Sequence, residues 1–114
     1  MNHKTCFENT LDRYVPTFTF NFKGDGRNSL GFRKIDELTD DYVVLSDSIS
    51  TLRLYFNTLK SGNILINNVE ITVFYYPEYP NHRFIPIDKF ENRKYLIELL
   101  EENKSDDLLM MGFK

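Results

Sequence analysis

The chain has no alanine, no glutamine and no tryptophan, and it holds a single cysteine, Cys6. One thiol excludes an intrachain disulfide, and with it the small secreted scaffolds that are held together by several bridges. Two histidines, His3 and His82, make with Cys6 only three candidate ligands, one of them far along the chain, and do not supply the four closely spaced ligands of a structural zinc site. The first residues lack the apolar run of a secretory signal, and the longest apolar-leaning stretch free of charge, residues 71–77, is far short of the ~20 residues of a membrane-spanning helix. A reducing, cytoplasmic setting without membrane contact is the expectation. Losing the best helix former weakens helices and favours strands.

What is present is aromatic and asparagine-rich: 10 Phe, 7 Tyr and 11 Asn among 114 residues. Asn, Phe, Tyr, Ile and Lys are written with AT-rich codons and Ala is not, which points to a low-GC bacterium, a mobile element or a phage. The length suits one domain over residues 1–114 with one core, built largely from rings that each remove ~150–250 Å² from water. Seventeen acidic and 14 basic side chains leave a net charge of −3. So small an imbalance argues against direct binding of nucleic acid through its phosphates.

Periodicity predicts an α+β fold: a mostly antiparallel sheet of about 4–6 strands built from hairpins, with two amphipathic helices. Phe18, Phe20 and Phe22 alternate with Thr17, Thr19 and Asn21, the pattern of a strand. The turn Lys23-Gly24-Asp25-Gly26-Arg27-Asn28 then returns the chain through residues 29–35, and it lacks the spacing and the Lys-Ser/Thr pair of a phosphate-binding loop. Tyr42-Val43-Val44-Leu45 reads as a short strand. Ser46-Asp47-Ser48 can cap a helix carrying Ile49, Leu52, Phe56 and Leu59, which places a helix at about 48–60. Residues 64–66 and 69–76, joined by Asn67-Asn68, predict a second hairpin. Three prolines make 77–86 a loop with a short extended piece near Phe84, and Asp88 with Glu91 caps a helix at about 89–103. The apolar tail at 108–113 fits helix or strand equally.

Function is carried by clusters, because no catalytic motif is present. Residues 1–35 hold six basic and three acidic side chains, whereas 36–52 hold five acidic and no basic ones: Asp36, Glu37, Asp40, Asp41 and Asp47. Such a block fits docking on a cationic protein, where opposite charge speeds encounter and sets register. Tyr76, Tyr79, His82 and Arg83 crowd around two prolines, residue types that interfaces favour. These features predict a small cofactor-free binding protein, such as an immunity protein that neutralises a basic toxin or nuclease by occlusion, and not an enzyme. The alternatives are an enzyme or ligand-binding module whose site is scattered along the chain, or an assembly protein of a phage or mobile element.

Overall fold

The computed structural model describes residues 3–19, 29–66 and 69–87, together with the helical positions Lys94 and Glu98. A short helix, α1 (His3–Glu8), and one turn of 3-10 helix (Leu11–Arg13) lead into seven strands. These are β1 (Tyr14–Thr19), β2 (Ser29–Leu38), β3 (Tyr42–Ser46), β4 (Thr51–Tyr55), β5 (Lys60–Ile66), β6 (Val69–Tyr75) and β7 (His82–Phe84). They form one sheet in the order β4-β3-β2-β1-β7-β6-β5, and every pairing is antiparallel.

The sheet curls into a half-barrel. β4 and β6 stand five places apart, which in a flat sheet would separate them by roughly 24 Å at ~4.8 Å per strand. Instead the Tyr55 amide donates to the Tyr76 hydroxyl at 3.4 Å, just beyond the end of β6. The concave face gathers Val15, Ile35, Val43, Leu45, Leu52, Leu54, Phe74, Tyr76 and Phe84 into one core. Their registers agree on a single face: Ile35 opposes Leu45, Leu45 opposes Leu52, Val43 opposes Leu54, and Phe74 opposes Phe84. Phe7, 1% exposed, projects from α1 into this core against Phe74 and Phe56, with ring centroids 5.3 and 6.1 Å away. So short a helix has little stability of its own, and the buried Phe7 ring, with the His3 ring edge-on to Phe74 at 5.0 Å, helps hold it on the sheet. Thr10 closes its last turn by donating to the Cys6 carbonyl at 2.9 Å.

The expectation of two amphipathic helices and 4–6 strands is corrected here: the sheet has seven strands, and α1 is the only α-helical segment of more than one residue among the described residues. The helix expected at 48–60 is instead a tight turn, β4, a second turn and the start of β5. Leu52 and Leu54 are buried while Thr51, Arg53 and Tyr55 are exposed, a period of two that outweighs the i, i+3, i+7 spacing of Ile49, Leu52 and Phe56. Ile49, assigned to the apolar stripe of that helix, is 90% exposed. Asp47 caps a turn and not a helix, its Oδ1 accepting from the Ile49 and Ser50 amides at 2.8 and 2.9 Å. The helix expected at 89–103 and the tail at 108–113 lie outside the described residues, apart from Lys94 and Glu98, which are helical and exposed. The hairpin of β5 and β6 is present, with Ile66 opposing Val69 across the Asn67-Asn68 connection.

One irregularity matters for the surface. Between Ile35 and Glu37 the β2–β3 register slips by one residue, so Asp36 is an extra residue in β2. Glu37 then opposes Val44 on the convex face and Leu38 opposes Val43 on the concave face. Without the slip, Glu37 would point into the core.

Leu54 is completely buried between β3 and the far side of the curl. Leu54→Ala should cost about 2–5 kcal/mol in chemical denaturation, the range for a leucine removed from a packed interior. A cost below ~1 kcal/mol would be the value for a helix surface position, and would contradict β4.

Candidate functional site

The acidic block of the sequence separates into two places. Asp36, Glu37, Asp40 and Asp41 stand together at the β2–β3 connection, whereas Asp47 lies at the other end of β3. The connection is a tight turn: the Thr39 amide donates to the Tyr42 carbonyl at 2.9 Å, and the Thr39 hydroxyl accepts from the amides of Asp41 and Tyr42. The four acidic residues around this turn are exposed. Lys4 of α1 reaches Asp40 at 2.6 Å, and that hydrogen bond lowers the Asp40 carboxyl and raises the Lys4 ammonium. Among the described residues Asp36, Glu37 and Asp41 form no ion pair. No three Asp, Glu, His or Cys side chains among the described residues converge closely enough to hold a metal ion.

Beside the tip on the convex face lies an aromatic group that the sequence reading missed. Tyr42 and Tyr55 oppose each other across β3 and β4 with their rings edge to face at 5.5 Å. The Arg53 guanidinium covers the Tyr42 ring at 4.6 Å, and the Tyr42 hydroxyl donates to Glu37 at 3.1 Å, which raises the Tyr42 phenol. Tyr55 is 41% exposed. A helix at 48–60 would scatter Arg53 and Tyr55 away from Tyr42. The alternation Thr51-Leu52-Arg53-Leu54-Tyr55 was the signal that could have found them.

Asp47 belongs to a clamp inside the rim of the half-barrel. Arg33, 5% exposed on β2, donates to the Ser50 carbonyl at 3.1 Å and the Ser50 hydroxyl at 3.0 Å, and pairs with Asp47 at 3.2 Å. The backbone amides of Ser50 and Ile49 hold the Asp47 carboxyl below the ordinary range, with Arg33 adding to the effect. A buried guanidinium engaged in this way fixes the β3–β4 turn to β2. Among the described residues no buried side-chain nitrogen or oxygen lacks a partner.

The aromatic loop is drawn largely inward. Tyr76 is 2% exposed, stacks on Tyr79 at 5.5 Å and accepts from the Tyr55 amide. Arg83 is 3% exposed, donates to the carbonyls of Pro80 and His82, and covers the Tyr75 ring at 4.4 Å. Tyr79 and His82 are half-buried, and His82 shares a hydrogen bond with the Thr19 hydroxyl at 3.2 Å. These four residues therefore do not form one open surface: Tyr76 and Arg83 support the loop from inside.

Comparison with protein-family models, with curated proteins and with solved structures finds no match to the chain. No helix among the described residues is long and apolar enough to cross a membrane.

Burial, and next the Arg33 cation, hold the His82 imidazole below its ordinary value, with Asp47 opposing. The folded chain thus favours the neutral ring, and the unfolded chain takes up the proton first. Stability should fall as pH drops through the ordinary imidazole value, ~6.5, and the loss should level off once the folded-state ring is protonated too. His82→Asn should flatten that slope between about pH 7 and 5 in urea titrations, and equal slopes in the two proteins would remove His82 as its source.

Proposed function

We propose that this chain is a small binding protein that docks its β2–β3 tip on a basic protein surface and blocks it, as an immunity protein does with a cationic toxin or nuclease. The observation that carries the reading is the gathering of Asp36 and Glu37, at the end of β2, with Asp40 and Asp41, on the turn that follows, beside Tyr42. Three of the four carry no ion pair among the described residues. Carboxylates steer a cationic partner during encounter, and the adjacent ring supplies contact area once water is expelled. The protein acts by occlusion and transforms nothing. Its partner is a protein, and neither nucleic acid nor a cofactor has a part in the mechanism.

Co-expression with the product of the neighbouring gene provides the test. The wild-type chain should form a one-to-one complex and relieve any growth defect that the product causes. Asp40→Lys with Asp41→Lys should slow association by about tenfold or more at low salt, with a smaller difference at high salt where the charges are screened. A complex whose association rate and salt dependence survive the double charge reversal would rule out the tip as the docking surface.

A further inference from the structure

β4 is an edge strand, and the register fixes which of its backbone groups are unused. The Asp47 amide donates to the Ser50 carbonyl and the Phe56 amide to the Asp41 carbonyl. Positions 50, 52, 54 and 56 therefore turn their amides and carbonyls toward β3, and positions 51, 53 and 55 turn theirs away. Of these three, Tyr55 is already committed: its amide donates to the Tyr76 hydroxyl, and its carbonyl accepts from the Thr58 and Leu59 amides. The outward face of the edge thus consists of the amides and carbonyls of Thr51 and Arg53, both exposed residues, with nothing paired to them among the described residues. Unpaired edges are usually blunted by proline, by a charge turned inward or by a covering segment. β4 has no proline, and Leu52 and Leu54 are its inward side chains.

We propose that β4 pairs with β4 of a second copy of this chain, antiparallel, about a two-fold axis at Leu52. In that register Thr51 of each copy faces Arg53 of the other. Two residues facing each other in a hydrogen-bonded antiparallel pair exchange both of their bonds. The two pairs then use all four free groups on each chain and require none that Tyr76 already holds. Centring the axis on Arg53 instead would place the two guanidinium groups directly opposite, and would need the Tyr55 amide and carbonyl. The edge is therefore self-complementary in one register and frustrated in the next.

Side chains agree with this register. It sets the Leu52 side chains of the two copies beside each other on the concave face, where the residue is 7% exposed, and Arg53 beside the Thr51 hydroxyl on the convex face. It also brings Ile49, 90% exposed and the most exposed large hydrophobic side chain among the described residues, abreast of Tyr55 of the second copy. An isolated isoleucine on a turn and a half-exposed tyrosine on the edge thereby acquire the same explanation. The product is two half-barrels sharing one continuous sheet, an isologous dimer.

Sedimentation velocity over a wide range of protein concentrations tests this directly. The chain should move from monomer to dimer, and hydrogen exchange at Thr51 and Arg53 should slow as the dimer forms. Arg53→Pro removes an outward amide without touching the β3 pairing, and should weaken self-association by at least about tenfold while the circular dichroism spectrum stays that of the wild type. If that variant fails to fold, Ile49→Asp decides, since it alters only an exposed turn side chain and should weaken the dimer in the same direction. A chain that stays monomeric throughout, or a dimer that the folded variants leave unchanged, overturns the proposal. The dimer uses none of the four carboxylates of the tip, and Ile49→Asp, which leaves the Arg53–Tyr42 contact in place, separates failure of the dimer from failure of the tip.

Discussion

The bend of the sheet is the constraint on which the rest of the molecule depends. Seven strands laid flat would leave Leu52 and Leu54 at one edge and Phe74 and Tyr76 near the other, each half of the apolar face too distant to cover its counterpart. Curling brings both halves over Val15, Ile35 and Leu45, and α1 adds Phe7 from within. The hydrogen bond from Tyr55 to Tyr76 joins the two sides of the bend, so a phenol that reads in the sequence as part of a recognition loop is a fastening of the fold. An aromatic-rich, alanine-free alphabet suits this construction, because a few large rings can span a curved interior that small side chains would leave underfilled.

Arg33 shows how the same bend disposes of charge. A guanidinium that is almost fully buried is costly unless its donors are engaged, and here Ser50 and Asp47 engage them from a single turn. The turn is held in place by the charge, and the charge is tolerated because of the turn. His82 sits near enough to feel both members of the pair. The rim of the half-barrel is therefore an electrostatic unit that links β2, β7 and the β3–β4 turn.

Legibility in the sequence followed the physics of each element. The β5–β6 hairpin was readable because its signals are local: the β-prone run Ile64-Leu65-Ile66 on one arm, Val69, Ile71 and Val73 alternating with Glu70 and Thr72 on the other, and two asparagines between them suited to a tight connection. β4 was not, because Ile49, Leu52, Phe56 and Leu59 satisfy a helical period as well as Leu52 and Leu54 satisfy a strand period, and only pairing with Val43 and Leu45 decides between them. α1 escaped notice since six residues with one buried ring carry no periodic signal. The acidic block was visible as composition, yet its division into a tip and the Arg33 clamp depends on which end of β3 each aspartate occupies. Tyr76 and Arg83 looked like surface residues because of their type and neighbours, and tertiary contacts took them inside.

The extra residue at Asp36 has a consequence for how such a chain can change over time. By absorbing one position between Ile35 and Glu37, the bulge uncouples the two-residue alternation of the core from the alternation at the hairpin tip. Leu38 and Val43 keep their inward places whatever side chains the turn beyond them carries. The bulge thus lets the exposed side chains at positions 36, 37, 40 and 41 differ, much as a tool handle accepts different heads, while Leu38 and Val43 keep the half-barrel packed.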